Sequence, residues 1–189
     1  MSTNELIQRR GTMMQSRSGG TDWEQLFKVL IGDDTSTTEL VIPEGITKLR
    51  PYAIDHTSLT KVVLPSTYTT PGNWDNFVVG NNTQLTTLSL GGLVKISERM
   101  FGGNSALTSV TIPASVNEIR SHAFNACTSL ATVILERTSG VLPINYAVTQ
   151  IFPGVSQFYV PDALVDAYKA DAKWGADQSR IHPMSDLTT

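Results

Sequence analysis

The chain has 189 residues, 40% of them hydrophobic and 16% charged, with a formal net charge of −3. That composition excludes a disordered or supercharged chain, and no apolar run approaches the roughly 18–20 residues a membrane helix needs. A single cysteine, Cys127, excludes an internal disulfide.

In chain order, residues 1–20 come first and follow no repeat. They lack an apolar core followed by small residues, so a secretory signal is not expected. Asn4 is placed to cap a short helix in which Leu6, Ile7, Arg10, Met13 and Met14 form a loose apolar face. Arg9, Arg10 and Arg17 against Glu5 give this arm a formal +2, which leaves −5 for the remainder. Ser16 to Gly20 reads as a joint. Residues 21–36 then read as a cap helix. Thr21 to Glu24 is a capping box, and Trp23, Leu26, Phe27 and Leu30 fall at i, i+3, i+4 and i+7.

From residue 37 to 160 the sequence repeats itself. Equivalent starts at Thr37, Leu59, Leu85, Leu107, Leu130 and Val155 are spaced by 22, 26, 22, 23 and 25 residues. Apolar residues recur at offsets 0, 3 and 5, as in Leu107, Val110 and Ile112. A period of roughly 20–29 residues with this core marks a leucine-rich repeat. The alternation predicts short strands near 40–42, 62–64, 88–90, 110–112, 133–135 and 158–160, stacked as one parallel sheet on the concave face of a right-handed α/β solenoid. Proline after the strand, at Pro43, Pro65, Pro113 and Pro161, ends it because proline has no N–H to donate.

The pairs Leu49/Ile54, Trp74/Val79, Ile96/Phe101 and Ile119/Phe124 are expected to fill the convex side. Three residues after Val79, Phe101 and Phe124 stand Asn82, Asn104 and Cys127, a slot whose side chains bond otherwise unpaired turn backbone. Two repeats depart from the pattern. Thr67 to Trp74 is expected to protrude as a loop, and the Leu130 repeat lacks its proline. Residues 161–189 read as a C-terminal cap: a helix sharing Leu164, Val165, Tyr168 and Ala172 on one face, Trp174 behind it, and a last strand at Ile181.

The phrase Val110 to Phe124 (Ile-Pro-x-x-Val-x-x-Ile-x-x-x-Ala-Phe in its core) resembles the BspA-like class of bacterial leucine-rich repeats, as do Ile42 to Ile54 and the ending Phe158 to Trp174. The resemblance covers about residues 22–183 and implies the fold. Such repeats occur in large secreted adhesins that bind host proteins and other bacteria, and in short proteins encoded among phage structural genes. Lacking a leader and anchor, this chain looks more like the short type. The resemblance brings no catalytic motif.

The residues themselves point the same way. His56, His122 and His182 are far apart, and no His-x-x-x-His, Cys-x-x-Cys or calcium-loop spacing occurs. No metal or other cofactor is expected, nor an enzyme. An acidic solenoid offers no long phosphate track, so nucleic acid is not an expected partner. Offsets 2 and 4 give the concave face: Glu39/Val41, Lys61/Val63, Thr87/Ser89, Ser109/Thr111, Thr132/Ile134 and Gln157/Tyr159. Within it Glu39, Val41, Lys61, Val63, Thr87, Thr111, Ile134 and Tyr159 are the expected binding residues for a protein or glycan, with Glu39 and Lys61 placed to pair across neighbouring strands.

Leu6, Ile7, Arg9, Arg10, Met13 and Met14 are expected to dock the arm on another protein. The expected role is a phage virion component, docked through the arm on other virion proteins and presenting its solenoid to a host surface. A bacterial cell-surface adhesion module is the alternative, and self-association through the arm is its competing contact.

Overall fold

Each repeat turns its alternating residues into a strand with an apolar residue facing inward. The computed structural model describes residues 38–49, 51–55, 58–71 and 76–187. The arm residues, the expected helix of residues 21–36 and Trp74 lie outside these. The strands are β1 (Glu39–Val41), β2 (Lys61–Val63), β3 (Thr87–Ser89), β4 (Lys95–Ile96), β5 (Ser109–Ile112), β6 (Glu118–Ile119), β7 (Thr132–Leu135), β8 (Gln157–Val160) and β9 (Ile181–Pro183). Two short α-helices, α1 (Val148–Ile151) and α2 (Val165–Ala170), lie in the C-terminal third.

All strand pairs are parallel, and each pairs with a strand of another turn of the coil at the register the repeat dictates. Leu40 sits beside Val62 and Val62 beside Leu88, while Val110 sits beside Val133, Val133 beside Phe158 and Phe158 beside Ile181. These inward residues and their convex-side counterparts form one apolar core. Opposite them, β4 pairs with β6, and isolated bridges join Ile54 to Val79 and Ile119 to Ile144. Phe101, Phe124 and Phe152 stack in file through this side, with ring centroids 5.3 and 5.2 Å apart.

The turn slot is filled as its residue types require. Asn104 Nδ2 donates to the carbonyls of Val79 and Phe101, both at 2.8 Å, and its Oδ1 accepts from the Asn82 N–H at 3.1 Å. Asn82 donates to Ile54 and Gly80 carbonyls, and the Cys127 thiol to Phe101 O at 3.2 Å. The bonds to Val79 and Ile54, the Asn82–Asn104 bond and that of Cys127 join neighbouring repeats, while those to Phe101 from Asn104 and to Gly80 close the turn within one repeat.

Several expectations are corrected. Several strands begin a residue earlier than expected, because ladder pairing extends to the polar residue before the inward one. The concave strands form two sheets, β1-β2-β3 and β5-β7-β8-β9, where the repeat predicted one. The break follows the one repeat with glycines in place of the terminating proline. Gly91 has φ +56°, and a Cβ there would collide with the carbonyls of Leu64 and Pro65; a Cβ on Gly92 would collide with that of Ser66. The chain is thus drawn onto the preceding repeat, and the ladder to the next one is left open.

The segment from Thr67 does not protrude at its start. Tyr68 is fully buried, and Val94 N–H donates to the Thr69 carbonyl. Helix α2 ends at Ala170, since Asp171 is extended (ψ 131°), so Ala172 is exposed and shares no face with Tyr168. Helix α1 is not signalled by the sequence. Its four residues are too few for a helical period, yet Val148 and Ile151 are buried.

Candidate concave binding face

Because inward and outward residues alternate, the register that stacks the core also stacks the outward residues in columns. One column runs Glu39, Lys61, Thr87 in the first sheet and Ser109, Thr132, Gln157 in the second. The other runs Val41, Val63, Ser89, then Thr111, Ile134, Tyr159 and His182. All eight expected face residues, Glu39, Val41, Lys61, Val63, Thr87, Thr111, Ile134 and Tyr159, therefore lie on this surface, exposed or half-buried.

The face is uneven in chemistry. At its N-terminal end Lys61 Nζ lies 3.2 Å from Glu39 Oε2, and Val41 and Val63 stand beside that pair. Both charges are exposed, so the pair sets local charge more than it stabilises the fold. The middle is hydroxyl-lined. Towards the C-terminal end the surface turns apolar and aromatic: Ile134 neighbours Tyr159, whose ring lies 5.5 Å from that of His182.

His182 is the residue sequence reasoning passed over. Treating Ile181 as the inward residue of a last strand places residue 182 outward by the same alternation, which is the signal that finds it. The second omission is the break between β3 and β5. In a parallel ladder successive residues direct their N–H and C=O groups to opposite sides. Thr87 N–H and Ser89 C=O bond towards β2, so Leu90 N–H faces β5 and finds no backbone acceptor among the described residues. Thr108 and Ile112 carbonyls bond towards β7 and its continuation, so those of Ser109 and Thr111 face β3. A cleft of about 300 Å³ opens there, lined by Ser89, Leu90, Thr111, Pro113 and Glu136 among others. Leu88, at its floor, is 8% exposed, whereas its strand equivalents Leu40, Val62 and Val133 are each 0% exposed.

Other candidate chemistry does not converge. Among the described residues no three His, Cys, Asp or Glu side chains cluster so as to hold a metal ion. Cys127 is buried, and burial pushes its thiol up to about 11. His122 lies on the convex side at φ +58°, far from His182 on the concave face. Among the described residues no helix is long and apolar enough to cross a membrane.

The family model for the BspA type leucine-rich repeat region matches residues 33–146 in six copies, more than half the chain. No curated protein matches the sequence. Among solved structures, the chain is similar to a leucine-rich cell surface protein of Faecalibacterium prausnitzii A2-165, at 17% identity and TM-score 0.48, covering 78% of this chain and 31% of that one. It is also similar to a leucine-rich repeat protein of Bacteroides ovatus ATCC 8483, at 17% identity and TM-score 0.44, covering 78% of this chain and 42% of that one. The chain therefore spans 31% and 42% of the length of these two structures. With strands, core and turn ladder all keyed to the matched repeat, the chain belongs to the BspA-type leucine-rich repeat family.

Proposed function

We propose that this chain is a non-enzymatic binding module of the adhesion type, which holds a protein partner across its concave face at a bacterial surface. The observation that carries the reading is the Ile134–Tyr159–His182 run, an apolar and aromatic strip left outward on a regular sheet. Tyrosine and other large amphipathic side chains on rigid elements are the usual anchors of protein interfaces. Family membership supports a binding role, because leucine-rich repeats supply an extended surface instead of an enclosed catalytic pocket. Purified protein passed over immobilised extracellular matrix proteins and intact bacterial cells in surface plasmon resonance should give saturable binding. The double variant Ile134→Ser/Tyr159→Ser should lose at least about tenfold in affinity, the effect of one interface hot spot. Unchanged binding by the variant would move the site off this face.

The finer reading, a phage particle component, is favoured by one feature: a basic, methionine-bearing segment at residues 1–18 that stands outside the repeat. There Leu6, Ile7, Met13 and Met14 would make the buried contact, and Arg9, Arg10 and Arg17 its charged rim. Deleting residues 1–18 would then abolish incorporation into purified particles. Particles that incorporate the truncated chain equally well would dismiss the arm as a docking element.

A further inference from the structure

We infer that the seam between β3 and β5 is a hinge. The two parts of the concave face pivot about an unbroken convex edge, and the seam closes by zipping into the ladder made elsewhere in the coil. The hinge stands apart from the binding function proposed above and does not depend on it. First, the two sides of the seam complement each other and are unpaired. Strands β3 and β5 belong to separate sheets, and neither Leu90 N–H nor Ser109 N–H finds a backbone acceptor among the described residues. In the neighbouring seams the equivalent groups are bonded: Leu64 N–H donates to the Ser89 carbonyl at 3.0 Å, and Thr132 N–H to the Thr108 carbonyl at 3.2 Å. The same register sets the closed pairing here. Ser109 N–H would donate to Thr86 C=O, Leu88 N–H to Ser109 C=O, Thr111 N–H to Leu88 C=O, and Leu90 N–H to Thr111 C=O. Donors and acceptors match one for one, so the partner that suits each edge is the other edge. Closure would also cover Leu88, which is 8% exposed at the floor of the cleft.

Second, the same two repeats stay joined on the convex side, which supplies the pivot. There β4 pairs with β6, placing Lys95 beside Glu118 and Ile96 beside Ile119. Asn117 N–H donates to Val94 O at 2.9 Å and Arg120 N–H to Ile96 O at 3.0 Å. Phe101 N–H donates to Ala123 O at 2.9 Å and Gly103 N–H to Asn125 O at 2.8 Å. Rotation about this line widens or narrows the concave side while the convex bonds persist.

Third, a short seat holds the seam open. Gly91 and Gly92 lie against the carbonyls of Leu64, Pro65 and Ser66, and Gly92 N–H reaches the Pro65 carbonyl only at 3.3 Å. Closing the seam trades this seat for a run of ladder bonds, so two discrete packings compete across a small rotation, as in other hinge elements. The pair Glu39/Lys61 stands on one side of the hinge and the Ile134–Tyr159–His182 strip on the other. The pivot therefore sets the spacing between the charged and the aromatic ends of the face.

The first test is nitrogen-15 relaxation dispersion on the full chain without any partner. The amides of Leu88, Leu90, Ser109 and Thr111 should show microsecond-to-millisecond exchange, while those of Phe101, Gly103, Asn117 and Arg120 give flat profiles. Flat profiles at the seam, or equal exchange on the convex ladder, would overturn the hinge. The second test is the variant Ser89→Cys/Thr111→Cys, whose thiols stand outward at matching positions and can be bridged at the spacing of paired strands. Oxidation should lock the seam shut, slowing hydrogen exchange of the Leu90 and Ser109 amides by at least about tenfold relative to the reduced form, the effect of one gained hydrogen bond. Failure to form the bridge, or unchanged exchange in the bridged form, would also overturn the hinge. Neither measurement reads partner binding, so their failure leaves the concave-face reading to be decided by Ile134→Ser/Tyr159→Ser alone.

Discussion

The indole N–H of Trp174 donates to the Leu142 carbonyl at 2.7 Å, and the N–H of the same Leu142 donates to the Tyr168 hydroxyl at 3.0 Å. Leu142 lies in the repeat that lacks its proline, and there both backbone groups of a buried residue take side-chain partners from the closing segment. The two aromatic rings also meet edge to face at 5.4 Å and are fully buried. The C-terminal segment thus completes the hydrogen bonding of the repeat it covers. Trp174→Phe should therefore cost about 1–3 kcal/mol by leaving a buried carbonyl unpaired, beyond any packing loss, and Tyr168→Phe a similar amount. Urea unfolding measures both. Changes within about 0.5 kcal/mol would show that water replaces these bonds.

Phe124 sits between Phe101 and Phe152 in the convex file and is fully buried. Phe124→Ala should destabilise by about 3–5 kcal/mol, since the rings on either side belong to stacked repeats and cannot both collapse into the void. A loss under about 1 kcal/mol in urea unfolding would mean that the file repacks.

Asn104 is expected to matter as much as a core aromatic despite its polarity. Its side chain satisfies Val79 O, Phe101 O and Asn82 N–H at once, all in the buried turn. Asn104→Ala removes all three bonds; the Phe101 carbonyl keeps the Cys127 thiol, so the loss should centre on the Val79 carbonyl, at about 1–3 kcal/mol for a buried group left unpaired. Asn104→Asp should not rescue stability, because a carboxylate accepts where two of the three partners also accept. Thermal melts of both variants decide the matter, and a near-native Asp variant would contradict it.

How much of this was legible depends on whether a residue's role repeats. Val110, Ile112, Phe124 and Asn104 occupy slots filled several times, so period alone placed them inside or in the turn ladder. The outward columns were legible for the same reason, because alternation with Leu40, Val62 and Phe158 inward leaves Glu39, Lys61 and Tyr159 outward. What was not legible is where one repeat differs from the others. Gly91 and Gly92 read as ordinary turn residues, and only the close approach of the Pro65 and Ser66 carbonyls explains why the ladder opens beside them. Tyr68 looked like an insert because the length of its repeat hides that it fills the buried slot held by Ile46 and Val116 elsewhere. Helix α1 has no periodic precedent in the chain at all.

Cys127 supplies a pH-dependent prediction. Burial raises its thiol to about 11 from the ordinary thiol value of 9.0, with bonds to the Asn104 and Gly103 backbone acting in the opposite direction. Between those two values the unfolded chain has lost its thiol proton while the folded chain keeps it. The unfolded state then binds fewer protons, so stability falls as pH rises through that window, by about 2–3 kcal/mol for a two-unit shift. Below pH 9 this contribution is fully retained. Cys127→Ser keeps a donor for the Phe101 carbonyl but does not titrate there, so its stability should be flatter than wild type between pH 9 and 11, whatever other groups ionise in both proteins. The same burial makes the native thiol inert, and alkylation by iodoacetamide should proceed only at the rate of unfolding. Parallel stability curves for the two proteins across that window, or fast alkylation of native protein at neutral pH, would show that the thiol is open to solvent.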